Sequence, residues 1–169
     1  VVSGAEKVAS KEGYAVFLCE AGETPAEQHL EALKSRQIDG VILDAVGAAA
    51  LSAESLAGMN VVLVDESLDD YPGIVSDAEQ AGELAARHLL TLGHRRFGFI
   101  GPAVDASAFR LRERGYARTL RDADISISSE AWRRAPATVA GGMQAMRSLL
   151  ALRPRPTAGF CANDLVPIG

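Results

Sequence analysis

Short apolar runs alternate with helical stripes along this chain, and that alternation limits the folds open to it more than any other feature. The runs YAVFLC (14–19), GVIL (40–43), VVLVD (61–65), FGFIG (97–101) and TAGFCA (157–162) fit strands buried on both faces. Between most of them the apolar spacing changes to three and four. Ala81, Leu84, Ala85, His88, Leu89 and Leu92 form one stripe over 78–92. Val139, Met143, Met146, Leu149 and Leu150 form another over 139–150, and Leu30 with Leu33 a weaker one. Helix starts are marked as well. Thr24 reads as an N-cap followed by Pro25 and the capping-box residue Glu27, and Asp77 reads as an N-cap with Gln80 three residues on. Strands alternating with helices in this way pair in parallel through helical crossovers, so the expected class is α/β, in three αβα layers. The polar stretch ESLDDYPGIVSD (66–77) lacks helical period and separates two halves.

Charge narrows the partners. With 17 basic against 22 acidic residues the net charge is −5, which does not attract nucleic acid to the surface as a whole. No apolar run approaches the roughly 18 residues of a membrane span. Cys19 and Cys161 each lie in an apolar run and read as buried free thiols in a reducing compartment. His94, Arg95 and Arg96 follow Gly93, which reads as the left-handed cap of the preceding helix. Cations there meet the negative end of the helix dipole, whereas a phosphate site needs the opposite end, so this basic triplet reads as a connector. His88 sits on its helix's apolar stripe and reads as a satisfied core histidine.

In open parallel sheets, ligands bind beyond the carboxyl ends of the strands, where loops and helix N-termini converge. Those ends supply Glu20, Asp44, Asp65, the segment from Ser107 to Arg112, and Asn163-Asp164. Each has a plainer reading. Asn163 or Asp164 serves equally as an N-cap, Asp65 as a solvated strand end, and Arg112 as a surface residue among Arg110, Arg114 and Arg118. Trp132 reads as strand packing, and Pro167 is tolerable within a first helical turn.

AARHLLTLGHRRFGFIG, RERGYARTL and RPTAGFCANDLVPIG, together with EKVASKEGYAVFLCEAGETPAEQHLEALKSRQIDGVIL in the first half, give the chain a family likeness. It resembles the effector-sensing core of the lactose/galactose-repressor family of bacterial transcription regulators, over essentially its whole length. The resemblance implies a periplasmic-binding-protein-like type I fold: two parallel-sheet lobes around a ligand cleft, behind a helix-turn-helix DNA-binding head. It assigns residues 1–76 to the N-terminal lobe and 77–169 to the C-terminal lobe, with the crossing near Ser76. No helix-turn-helix precedes Val1, and residues 1–13 read as the helix after the family's first strand. The C-terminal lobe also stops short, so the chain reads as an internal piece.

By the same resemblance, Arg112 is an effector contact, since RERGY (112–116) matches the family's Arg-x-x-Gly-aromatic pattern. Asn163 and Asp65 align with further contacts. Two positions depart: the family's hydroxyl residue falls on Ala108, with Ser107 adjacent, and a stacking aromatic falls near Pro136. Asp65 offers only acceptors, Arg112 only donors and Asn163 both, a set that suits a compact polar small-molecule effector, a sugar or sugar derivative first and a nucleoside-like or acidic metabolite second. DNA contact through the absent head, homodimerisation and a cytoplasmic location follow from the resemblance, with no cofactor, metal or membrane. A periplasmic sugar-binding protein of an uptake system is the alternative. An enzyme is disfavoured: His29, His88 and His94 are scattered, and no nucleophile elbow, phosphate loop or zinc-ligand pair is present.

Overall fold

A computed structural model describes residues 2–19, 26–44, 51–68 and 70–168. They fall into two compact units, Val1–Ile38 and Asp39–Gly169. No helix among the described residues is long and apolar enough to cross a membrane.

The first unit carries helices α1 (Val2–Lys11) and α2 (Ala26–Ser35). α1 matches the helix expected over the opening residues. It stops at Gly13, whose φ of 83° lets Tyr14 donate its N–H back to the Ala9 carbonyl at 2.9 Å. Leu30 is buried and Leu33 half-buried, as their spacing predicts. The cap residues Thr24 and Pro25, and Glu20, lie outside the described residues. The strand expected over 14–19 is corrected. That segment is extended but unpaired, with Phe17 73% and Leu18 66% exposed, and Cys19 is exposed rather than buried. A strand needs a ladder partner, and the described residues of this unit hold no other strand, so apolar content alone does not make one.

The second unit holds two parallel sheets. The first has the order β1 (Val41–Asp44), β2 (Val61–Val64), β3 (Gly73–Ile74). Helix α3 (Ala53–Leu56) joins β1 to β2, with the Ser52 hydroxyl capping its start by accepting from the Ser55 N–H. Burial alternates along β1 and β2. Leu63 is fully buried, while Ile42 and Val62, paired in register, face outward with Ile74. Burial on both faces is therefore not met here. The 66–77 stretch, read as a separator, contributes β3.

The second sheet has the order β5 (Trp132–Ala135), β4 (Phe97–Pro102), β6 (Ala158–Cys161), all parallel. Every residue of central β4 is buried. Helices α4 (Ala78–Thr91) and α5 (Ser107–Asp122) cover one face, where Phe97, Phe99, Tyr116 and Leu120 form a core. Helix α6 (Val139–Ala151) covers the other, packing its Ala145 and Leu149 over Ile100 and Ala135. This is the αβα layering that the alternating periods predict.

The stripes themselves are rotated. On α4 the buried residues are Ala78, Gly82 and Ala86, while Leu84 and Leu92 are 59% and 61% exposed, and His88 is exposed rather than a core residue. The reason is helix separation. A Cβ on Gly82 would lie 2.0 Å from the Arg112 carbonyl oxygen, and one on Gly115 would lie 2.0 Å from that of Glu79. Only the small-residue face lets α4 and α5 approach so closely, and close approach outweighs the burial of longer side chains. α6 behaves alike: Gly141, Gly142 and Ala145 are buried with Leu149, whereas Val139, Met143 and Leu150 are not.

Candidate functional site

Asp65 follows the last residue of β2 and takes a left-handed backbone, φ 56°, which aspartate tolerates better than most residues. Its backbone N–H donates to the Ile74 carbonyl at 2.8 Å, holding it against β3. Its Oδ1 accepts from both the Ser76 hydroxyl, at 2.7 Å, and the Ser76 N–H, at 3.1 Å. The Ser76 hydroxyl bond and then the N–H bond hold the Asp65 carboxyl below the ordinary carboxylate range. Partial burial opposes them, and the nearby Arg112 charge adds to them. Asp65 is thus an anion at neutral pH.

The same residue reaches the second sheet. Ser107, the first residue of α5, donates its hydroxyl to the Asp65 carbonyl oxygen at 3.2 Å. Five residues along α5, the half-buried Arg112 donates Nη1 to the Ala162 carbonyl at 3.1 Å, just beyond the end of β6. Its guanidinium also lies 5.6 Å from the Phe109 ring centre. Asn163 follows, and its Oδ1 accepts from the Val166 N–H at 3.1 Å, opening the 3-10 turn Val166–Ile168. Asn163 therefore does the capping its plainer reading named, with its amide N–H groups left over for other contacts. Pro167 sits within that turn, where it removes no helical hydrogen bond.

Asp65, Ser107, Arg112 and Asn163 are thus joined through a short chain of contacts at the carboxyl ends of β2, β4 and β6. Asp44 ends β1 in register with Val64, the residue before Asp65, and its side chain is exposed. Asp164 is exposed beside Asn163. Ser76 is the contact that sequence reasoning missed: it read only as the crossing between halves, and nothing local marks it as the partner of Asp65. A cavity of about 470 Å³ lies elsewhere, at the amino ends of β1 and β2, lined by 40–42, 59–62 and 70–72. It brings together few polar groups, whereas the carboxyl-end cluster combines an anion, a cation, a hydroxyl and an amide.

The basic triplet after α4 is a connector. Gly93 has φ 83°, His94 Nδ1 lies 3.0 Å from the Thr157 hydroxyl, and Arg96 Nε donates to the Arg155 carbonyl at 3.0 Å. Asp77 caps α4 by accepting from the Gln80 N–H at 2.9 Å. Cys161 is half-buried, and burial pushes its thiol up from the usual range.

Parallel α/β sheets that gather polar side chains at their strand ends define a class of ligand-binding cores. Comparison with known proteins gives the family. The profile described as periplasmic binding proteins and sugar binding domain of LacI family matches residues 1–169. The chain belongs to that family. It is 28% identical over 176 residues to the HTH-type transcriptional repressor PurR of Mannheimia succiniciproducens, a match covering 100% of this chain and 53% of PurR. A candidate LacI transcriptional regulator from Bacillus cereus subsp. cytotoxis superposes with a TM-score of 0.86 at 26% identity, over 98% of this chain and 61% of that one. The transcriptional regulator CelR in complex with cellobiose superposes at 0.80 with 27% identity, over 98% of this chain and 53% of CelR. The chain spans about half the length of the curated relatives it matches.

Proposed function

We propose that this chain is the effector-sensing part of a LacI-type transcription regulator, and that the cluster at the strand ends receives a sugar or sugar derivative. The contact run from Asp65 through Ser107 to Arg112 and Ala162-Asn163 carries this reading, since it joins the ends of both sheets. Asp65 supplies acceptors, Arg112 donors and Asn163 both, a set suited to hydroxyls that donate and accept at once. Asp44, at the end of β1, and Asp164, next to Asn163, are further candidate contacts. Residues 1–76 and 77–169 then act as two lobes, with Asp65 on one and Arg112 on the other. An effector that binds one arrangement of the lobes more tightly than another shifts their populations. Contact with DNA falls to a separate helix-turn-helix head, the regulator works as a cytoplasmic homodimer, and no catalysis is involved. Kinship with the PurR repressors favours a regulator over a solute receptor for uptake.

A thermal-shift panel of pentoses, hexoses, disaccharides including cellobiose, and nucleobases tests the ligand class. A stabilising sugar supports it. Stabilisation by nucleobases alone moves the assignment to the nucleoside-like class, and no response from any member contradicts the site.

A further inference from the structure

Helix α5 is fixed to three strands by residues that lie almost side by side. Arg112 reaches the Ala162 carbonyl beside β6, and Tyr116 donates its hydroxyl to the Gly98 carbonyl of β4 at 3.2 Å. Glu113 turns toward the opposite edge strand, β5. Its Oε1 accepts from the Trp132 indole N–H at 2.6 Å, and its Oε2 pairs with Arg134 Nη2. The Glu113 side chain is only 19% exposed, so both oxygens are committed in a partly dry setting. Arg134 lies with its guanidinium carbon 6.0 Å from the Phe99 ring centre, and Phe99 stacks on Trp132 at 4.4 Å. The Glu113 latch therefore ends on the buried aromatic group of the core.

Successive helical residues point about 100° apart, because a turn holds about 3.6 residues. Arg112 and Glu113 consequently straddle β4 and pull on opposite edges of the sheet. Releasing one lets α5 roll toward the other. We infer that Glu113, with Trp132 and Arg134, is a positioning group that sets the rotation of α5 and so holds the Arg112 guanidinium at the Ala162 carbonyl. Its functional meaning rests on Arg112 being a ligand contact, as proposed above, but its test uses no ligand.

Arginine modification by phenylglyoxal, followed by peptide mass spectrometry on the full chain, reads the environment of Arg112 directly. Exposed Arg87 and Arg147 serve as internal references. In Glu113→Ala, Arg112 should react about fivefold faster or more, as expected when a charge-assisted bond restraining its helix is lost. The references should stay within about twofold of wild type, the scatter of independent surface sites. Glu113→Gln keeps an acceptor for Trp132 without the ion pair and should fall between. Arg134→Met keeps the apolar stem over Phe99 and should move Arg112 in the same direction, which decides the matter if Glu113→Ala fails to fold. An Arg112 rate unchanged in both variants overturns the inference, and so does a rise accompanied by equally faster amide hydrogen exchange along buried β4, which would mean only a loosened fold. A selective rise stands whether or not Arg112 later proves to touch a ligand, so the two claims can fail separately.

Discussion

Asp65 does two things with different atoms. Its carboxylate anchors Ser76, while its left-handed backbone turns the chain from β2 toward β3. An Asp65→Ala substitution therefore mixes loss of charge with a backbone penalty of roughly 1–2 kcal/mol for an ordinary L residue in that region. Asp65→Asn separates them, since asparagine tolerates the same backbone and its amide oxygen can still accept both Ser76 bonds. The Asp65→Asn variant keeps the turn but lacks the carboxylate that the fold holds ionised, so it should melt below wild type at pH 7, and Asp65→Ala should melt lower still. Because the folded carboxyl is held below its unfolded value, its contribution is complete above that value and is lost as pH falls through the folded one. Melting midpoints from pH 3 to 7 should therefore converge at the acid end for wild type and Asp65→Asn. A gap between the two that widens on acidification would contradict the assigned shift.

Helices were legible as helices, but their buried faces were not. Apolar spacing located α4 and α6 within a residue or two, yet it counted Leu84, His88 and Met143 inward and passed over Gly82, Gly115 and Gly142. Those glycines have no side chain to register in a hydrophobic stripe, and their role emerges only when a second helix comes close. Gly115→Ala and Gly82→Ala should each destabilise the chain by about 1–3 kcal/mol despite the better helix propensity of alanine, because the new Cβ meets carbonyl oxygen. Gly4, in α1, has nothing within 4 Å of a Cβ, and Gly4→Ala should stabilise by about 0.5–1 kcal/mol. Urea titration compares the three. If Gly115→Ala is as stable as wild type, the close approach of α4 and α5 is wrong. The run at 14–19 failed for the converse reason: its residues suit a strand, but pairing depends on a partner that local sequence cannot supply.

Across the molecule, the fold class followed from alternating periods, and the strand-end rule pointed to Asp65, Ser107, Arg112 and Asn163, which lie at the carboxyl ends of their strands and are linked there by hydrogen bonds. What local sequence could not supply were the contacts made at a distance: Ser76 on Asp65, and Glu113 on Trp132 and Arg134. The apolar face of the first sheet, with Ile42, Val62 and Ile74 exposed at 57%, 37% and 69%, is a surface that seeks cover. Light scattering at micromolar concentrations should find the isolated chain self-associating, and a single monomer peak across that range would contradict this. The central claim is that the strand-end cluster binds a small polar ligand through Arg112. The direct test is calorimetric titration of the panel sugar that most stabilises the chain, or any longer protein containing it, against wild type and Arg112→Ala. Losing a charge-assisted bond of about 1.5–3 kcal/mol should raise the dissociation constant roughly tenfold or more. A constant that stays within about twofold of wild type, a difference below about half a kcal/mol, would place the ligand elsewhere.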